Sequence, residues 1–154
     1  MIIERADISD AEEILNLQKL AYQSEAAIYE DDSIPPLTQT FDEIRADFNK
    51  QVFLKASDEG RIIGSVRGYI KEATCFIGRL IVHPEFQNQG IGTKLMNEIE
   101  YHLRKAKRFE LFTGHKSEKN ISLYQKLGYR TFRVQKVTEN LNLLFMEKIP
   151  REDI

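Results

Sequence analysis

From Leu80 to Thr93 the chain reads Leu-Ile-Val-His-Pro-Glu-Phe-Gln-Asn-Gln-Gly-Ile-Gly-Thr, a β-branched apolar run that meets a proline and then two glycines. Beyond it Leu95, Met96, Ile99, Leu103 and Ala106 recur at helical spacing, so the glycines lie where a helix begins. The first N–H groups of a helix have no partner within it, and the aligned peptide dipoles give that end roughly half a positive charge. Glycines at such a place admit a positive φ and let a ligand reach the backbone. The chemistry open to this loop is anion binding, with phosphate the natural occupant, although a tight turn uses the same residues. The Gly-Lys-Ser/Thr ending of the Walker sequence and the first glycine of the dinucleotide fingerprint are both missing, which argues against nucleotide hydrolysis and hydride transfer.

Other reactive residues are fewer. Asn120 and Tyr124 stand four apart and share one helix face; by residue type alone Tyr124 reads as a core aromatic. The three histidines are scattered without ligand spacing, so no metal site is expected. Cys75 lies in an apolar run without thiolate-activating neighbours and cannot form an internal disulfide, which fits a reducing compartment.

The elements that must position these residues follow from periodicity. At 154 residues the chain suits one domain, 1–154. A domain of that size buries about 68–70% of its unfolded surface without metal or disulfide. A net charge of −2 with mixed signs offers no basic stripe for nucleic acid, and no apolar run approaches bilayer-spanning length. A soluble cytoplasmic protein is expected, with neither nucleic acid nor membrane as partner.

A strand over Ile2–Ala6 leads to a capping box at Ser9–Glu12 and a helix with Ile14, Leu17 and Ala21 on its buried stripe. Tyr22 to Gln39 loses periodicity and becomes acidic and then turn-like, with Glu25, Glu30, Asp31 and Asp32 before two prolines, and reads as a long connection or a partly helical flap. A second capping box, Thr40–Glu43, opens a helix with Phe41, Ile44 and Phe48 on one face. Val52–Ala56 and Arg61–Ile70 flank a turn at Asp58-Glu59-Gly60, and Thr74–Val82 follows as a third antiparallel strand. After the central helix, Phe109–Thr113 must return parallel through a right-handed crossover. Ser117 opens a helix that Gly128 ends, and Arg130–Val137 and Leu141–Lys148 close the chain as a hairpin. The class is α/β (α+β), a mixed central sheet of about seven strands with about four helices, in the order β-α-α-β-β-β-α-β-α-β-β.

Gln87-Asn88-Gln89-Gly90-Ile91-Gly92 resembles the acyl-CoA-binding motif Gln/Arg-x-x-Gly-x-Gly/Ala of the GNAT N-acetyltransferase superfamily. Leu80–Pro84 resembles that family's fourth strand and its exit, Asn120 to Tyr129 resembles its Asn-x-x-x-Tyr…Gly-Phe/Tyr segment, and the element order is that of the GNAT fold. The resemblance implies acetyl-CoA as cosubstrate, with its pyrophosphate on the backbone amides of Gln87, Asn88, Gln89, Gly90, Ile91, Gly92 and Thr93. It implies a fourth strand that splays from the fifth, so that the main chain at Leu80, Ile81 and Val82 holds the pantetheine arm and polarises the thioester. Asn120 would bind the cofactor. Tyr124 would protonate the departing thiolate, a role that suits a phenol with a pKa near 10.

One departure stands out. Where some members carry a glutamate base on the fourth strand, this chain has Phe76, leaving Glu30, Asp31, Asp32, Glu72, His115 or a water as candidate bases. The implied reaction is direct transfer of acetyl to a primary amine of a small molecule, and the acidic flap points to a cationic one. Alternatives are a protein lysine or N-terminus as acceptor, or a non-catalytic acyl-CoA-binding module. A homodimer through the closing strands is a further expectation of the resemblance.

Overall fold

The computed structural model describes residues 1–150; positions 151–154, over which the one-domain expectation also extends, lie outside the described residues. Its strands are β1 (Ile2–Arg5), β2 (Val52–Asp58), β3 (Arg61–Lys71), β4 (Thr74–Val82), β5 (Arg108–Gly114), β6 (Arg130–Thr138) and β7 (Leu141–Lys148). Its helices are α1 (Ala11–Ala21), α2 (Gln23–Tyr29), α3 (Pro35–Thr38), α4 (Phe41–Phe48), α5 (Ile91–His102) and α6 (Glu118–Lys126). The strands form one mixed sheet in the order β1-β2-β3-β4-β5-β7-β6. The expected architecture and order are present, and of the two readings of the flap the partly helical one holds, with the short helices α2 and α3 in it. Proline at the first positions of α3 needs no N–H partner there, and α2 stops where Glu30 turns left-handed at φ 52°.

Strand periodicity sends neighbouring residues to opposite faces of the sheet. Leu54, Ile63, Cys75 and Ile77 pack with Leu95, Met96 and Ile99 of α5, while Phe53, Ile62 and Ile81 pack with Ile14 and Leu17 of α1 and Ile44 of α4. Burial pushes the Cys75 thiol up to about 12, so it carries no thiolate chemistry at neutral pH. Two local expectations are corrected. The box at Ser9–Glu12 does not form; Asp7 accepts from the Ser9 N–H and Asp10 from the Asp7 N–H, so an acidic pair starts the turn two residues earlier. Phe41 is exposed beneath the Arg45 guanidinium, and only Ile44 and Phe48 turn inward, Phe48 stacked on Phe53 at 3.8 Å. The Thr40–Glu43 box forms as expected.

Two irregularities in β4 shape the site. Against β3, Arg67 pairs with Gly78 and Ser65 with Ile81, so Arg79 and Leu80 both stand opposite Val66, and Arg79 is left-handed at φ 51°. Against β5, pairing runs Thr74↔Arg108, Cys75↔Phe109 and Phe76↔Glu110 and then stops, although both strands continue. β5 keeps its antiparallel pairing with β7 through Gly114, so the sheet opens along one side of β5 only.

Candidate active site

The parting of β4 and β5 opens a cleft of about 770 Å³. Phe76, Arg79, Leu80, Glu110 and Phe112 line it from the sheet, Tyr22 from the joint between α1 and α2, Glu25 and Tyr29 from α2, and Asn120 and Tyr124 from α6. The inner edge of Ile81 and Val82 is covered by β3, through Ser65↔Ile81 and Gly64↔Val82, Leu80 stands in the bulge before them, and the outer edge of all three has no strand beside it.

At the end of β4, a single 3-10 turn over Pro84–Phe86 leads into an exposed loop, with the His83 ring accepting from the Glu85 N–H at 3.1 Å. Asn88 and Gly90 are left-handed, at φ 63° and 78°. The first helical bond of α5 runs from the Lys94 N–H to the Gly90 carbonyl. Among the described residues, the N–H groups from Gln87 to Thr93 therefore have no protein partner, the state an anion site at a helix N-terminus requires. Gly92 is not left-handed, and a Cβ there would meet nothing closer than Leu123 at 3.4 Å. Gly92→Ala is accordingly expected to keep the melting temperature of the parent while weakening coenzyme A binding, as titration calorimetry would show. Unchanged affinity would mean that no ligand approaches that backbone.

Tyr124 is buried, with its ring 6.0 Å from that of Tyr129, and no described residue hydrogen-bonds its hydroxyl. Burial, reinforced by Tyr22 and the charge of Glu25, holds its pKa above the ordinary phenol value, so it is protonated throughout the neutral range. Asn120, one turn earlier, is half-buried on the same wall.

Two polar networks fix the flap over this cleft. The Lys116 N–H donates to the Tyr29 hydroxyl at 2.9 Å, Tyr29 and Ser117 hydroxyls lie 2.8 Å apart, and Ser117 donates to Glu25 at 2.6 Å. Because the single Ser117 proton goes to Glu25, Tyr29 must donate to Ser117. Gly114 makes the docking of Tyr29 possible, since a Cβ there would overlap its hydroxyl. Deeper in, the buried Arg67 donates to Asp47 at 2.8 Å and to Gln18, whose amide donates to the Pro36 carbonyl at 2.9 Å and to Gln39 at 3.0 Å. Gln39 in turn donates to Asp47 at 2.8 Å. Burial, with Arg79 nearby, lowers the Arg67 pKa to about 10, leaving it charged at pH 7.

The candidate bases read from the sequence do not come together here. Glu30, Asp31 and Asp32 lie outside the lining, beyond the left-handed end of α2, where Asp31 accepts from the Ser33 N–H at 2.8 Å. Glu72 sits in the β3–β4 turn at the far end of β4, and His115 is engaged with the Asn142 backbone at 2.9 Å. The carboxylates that do line the cleft are Glu25, Asp47 and Glu110. Glu110 was legible in principle: it alternates with buried Phe109 and Leu111, which turns it to the face of Phe76. Among the described residues, no cluster of three or more His, Cys, Asp or Glu could hold a metal, and no helix is long and apolar enough to cross a membrane.

Comparison with known proteins gives a consistent picture. The acetyltransferase (GNAT) family model matches residues 11–129. The UPF0157 protein YqkA of Bacillus subtilis is 27% identical over 152 residues, covering 99% of this chain and 44% of its own length. The chain spans 44% and 64% of the lengths of two curated relatives it matches. Among solved structures, yncA from Salmonella typhimurium with its cofactor acetyl-CoA superposes with a TM-score of 0.79 at 20% identity, over 100% of this chain and 96% of that one. The ribosomal-protein-S18-alanine N-acetyltransferase from Escherichia coli gives 0.79 at 14% identity, over 99% and 97%. These two likenesses show a shared fold.

Proposed function

Since the chain belongs to the GNAT family of acetyltransferases, we propose that it transfers acetyl directly from acetyl-CoA to a primary amine of a small molecule that arrives as a cation. The observation that carries this reading is that one cleft joins an opened strand edge, the hydroxyl of Tyr124 and a carboxylate oxygen of Glu25, both without a partner among the described residues, beside a loop whose amides are equally without one. In this reading Gln87, Asn88, Gln89, Gly90, Ile91, Gly92 and Thr93 hold the pyrophosphate through their N–H groups. The main chain at Leu80, Ile81 and Val82 lines the pantetheine arm and steadies the oxygen on which negative charge develops. Asn120 contacts the cofactor, and Tyr124 gives its proton to the departing sulfur.

The acceptor must first lose a proton. A lysine-like amine is only about 0.04% neutral at pH 7, a penalty of roughly 4–5 kcal/mol. Glu25, the cleft carboxylate that no arginine pairs among the described residues, supports an ammonium-bearing acceptor, and the walls formed by α2, α3 and the β6–β7 hairpin favour a small molecule over an extended peptide. One domain over residues 1–154 would suffice for this chemistry, and the free, buried Cys75 fits a reducing cytoplasm.

The test is to incubate the purified protein with acetyl-CoA and a panel of polyamines, amino acids, aminoglycosides, alkylamines and short peptides, and to follow free thiol. Amine-dependent release is expected, strongest with small amines. Release with peptides alone would move the acceptor to protein, and acetyl-CoA binding without release for any acceptor would make the chain a binding module.

A further inference from the structure

We infer that Glu25 is the base that takes the acceptor's proton, an assignment that rests on the acetyl-transfer reading above. Three carboxylates line the cleft, and two are committed to arginines. Asp47 carries both the Arg67 guanidinium and the Gln39 amide on one oxygen, each at 2.8 Å. Glu110, although it stands beside Phe76 across the β4–β5 pairing, is bound by Arg108 at 2.8 Å, and Arg108 also binds Glu147. Protonating either would dissolve an ion pair.

Glu25 differs on each count. Among the described residues no cation pairs with it, and only its Oε2 has a partner, the Ser117 hydroxyl at 2.6 Å. Its other oxygen is left for the cleft. Glu25 lines the same cleft as Tyr22, Tyr29 and Tyr124, so the base and the proposed acid face the same space, which Arg67 and Arg79 also line. The relay from the Lys116 N–H through Tyr29 and Ser117 fixes the carboxylate in place, as a positioned base requires.

The proton balance closes without another reactant. Glu25 takes one ammonium proton and returns it to solvent. The freed lone pair forms the C–N bond as the C–S bond breaks, Tyr124 protonates the sulfur, and the phenolate recovers the second nitrogen proton. One proton is released per acetyl transferred.

Glu25→Gln keeps the size and the acceptor for Ser117 but removes the basic oxygen. The measurement is kcat/KM for the best alkylamine of the panel and for its β,β-difluoro analogue, assayed above the pKa of the analogue, where that amine is already neutral. Glu25→Gln is expected to lose about 10²-fold with the alkylamine. With the fluorinated amine the loss should nearly vanish, and acetyl-CoA affinity should not change. Ser117→Ala, which leaves the carboxylate but unties it, should show the same pattern more weakly. Equal losses with both amines would make Glu25 structural, no loss would dismiss it, and the selective loss appearing in Glu110→Gln would move the base to β5. If the parent releases thiol and Glu25→Gln matches it, only this assignment fails; if the parent releases none with any acceptor, the acetyl-transfer reading fails first.

Discussion

Tyr124→Phe is expected to lower kcat by about 10²–10⁴-fold while leaving both acetyl-CoA affinity and the melting temperature unchanged. The separation is unusually clean because the ring and the hydroxyl do different things. The ring is buried against Tyr129 and the α5 core, and phenylalanine preserves that packing. The hydroxyl has no partner among the described residues, so its removal strands no other polar group. The sign of the pH effect follows from burial, which raises the pKa above its ordinary value of 10.0: the acid form is present at every lower pH, and its contribution fades only on the alkaline side. A falling activity limb near neutrality would therefore belong to another group. Unchanged turnover in the variant would make Tyr124 a packing residue and leave the sulfur to be protonated by solvent.

Arg67→Met should cost about 3 kcal/mol of stability, since it removes a charge-assisted bond and leaves polar partners behind. For a chain of this length that corresponds to a fall in melting temperature of about 6–12 °C. The guanidinium bonds Asp47 and Gln18 and lies 4.6 Å over the Phe53 ring, so methionine keeps some packing but neither bond. Gln18 and Gln39 are the groups that tie Pro36 and the flap to α1 and α4, so the acceptor KM should rise as well. Combining it with Asp47→Leu should recover part of the lost stability, because the carboxylate left without its cation is removed, although the Gln39 amide then loses its acceptor. A double variant as unstable as the single one would show that Phe53 packing, not the ion pair, carries the effect.

What could be read from the sequence was local. The capping box at Thr40, the turn at Glu59-Gly60, the stop at Gly128 and the amide loop before α5 each depend on neighbours a few residues away. Tyr124 was singled out by the resemblance of the run from Asn120 to Tyr129 to a family segment, in which Asn120 lies one helical turn before it. The helices of the flap could not be placed because what orders it is distant: Tyr29 docks on Gly114 and Ser117, and Gln18 reaches Arg67. With those contacts unseen, Glu30, Asp31 and Asp32 stood among the candidate bases and Glu25, an acid of the same loop, did not. α2 separates them by turning Glu25 inward and ending before the other three.

The seam between β4 and β5 has a meaning for the protein's endurance as well as its chemistry. A sheet interrupted beyond Phe76 and Glu110 gives up ladder bonds in its middle, where an uninterrupted sheet is strongest. The unloaded chain carries that deficit permanently. Any cosubstrate that threads the gap and offers its own amides to the exposed edge binds only the folded state, and at a hundredfold excess over Kd that linkage adds about 2.7 kcal/mol. Survival in a cell would then track the supply of the molecule being consumed, so that starvation thins the protein before any regulator acts.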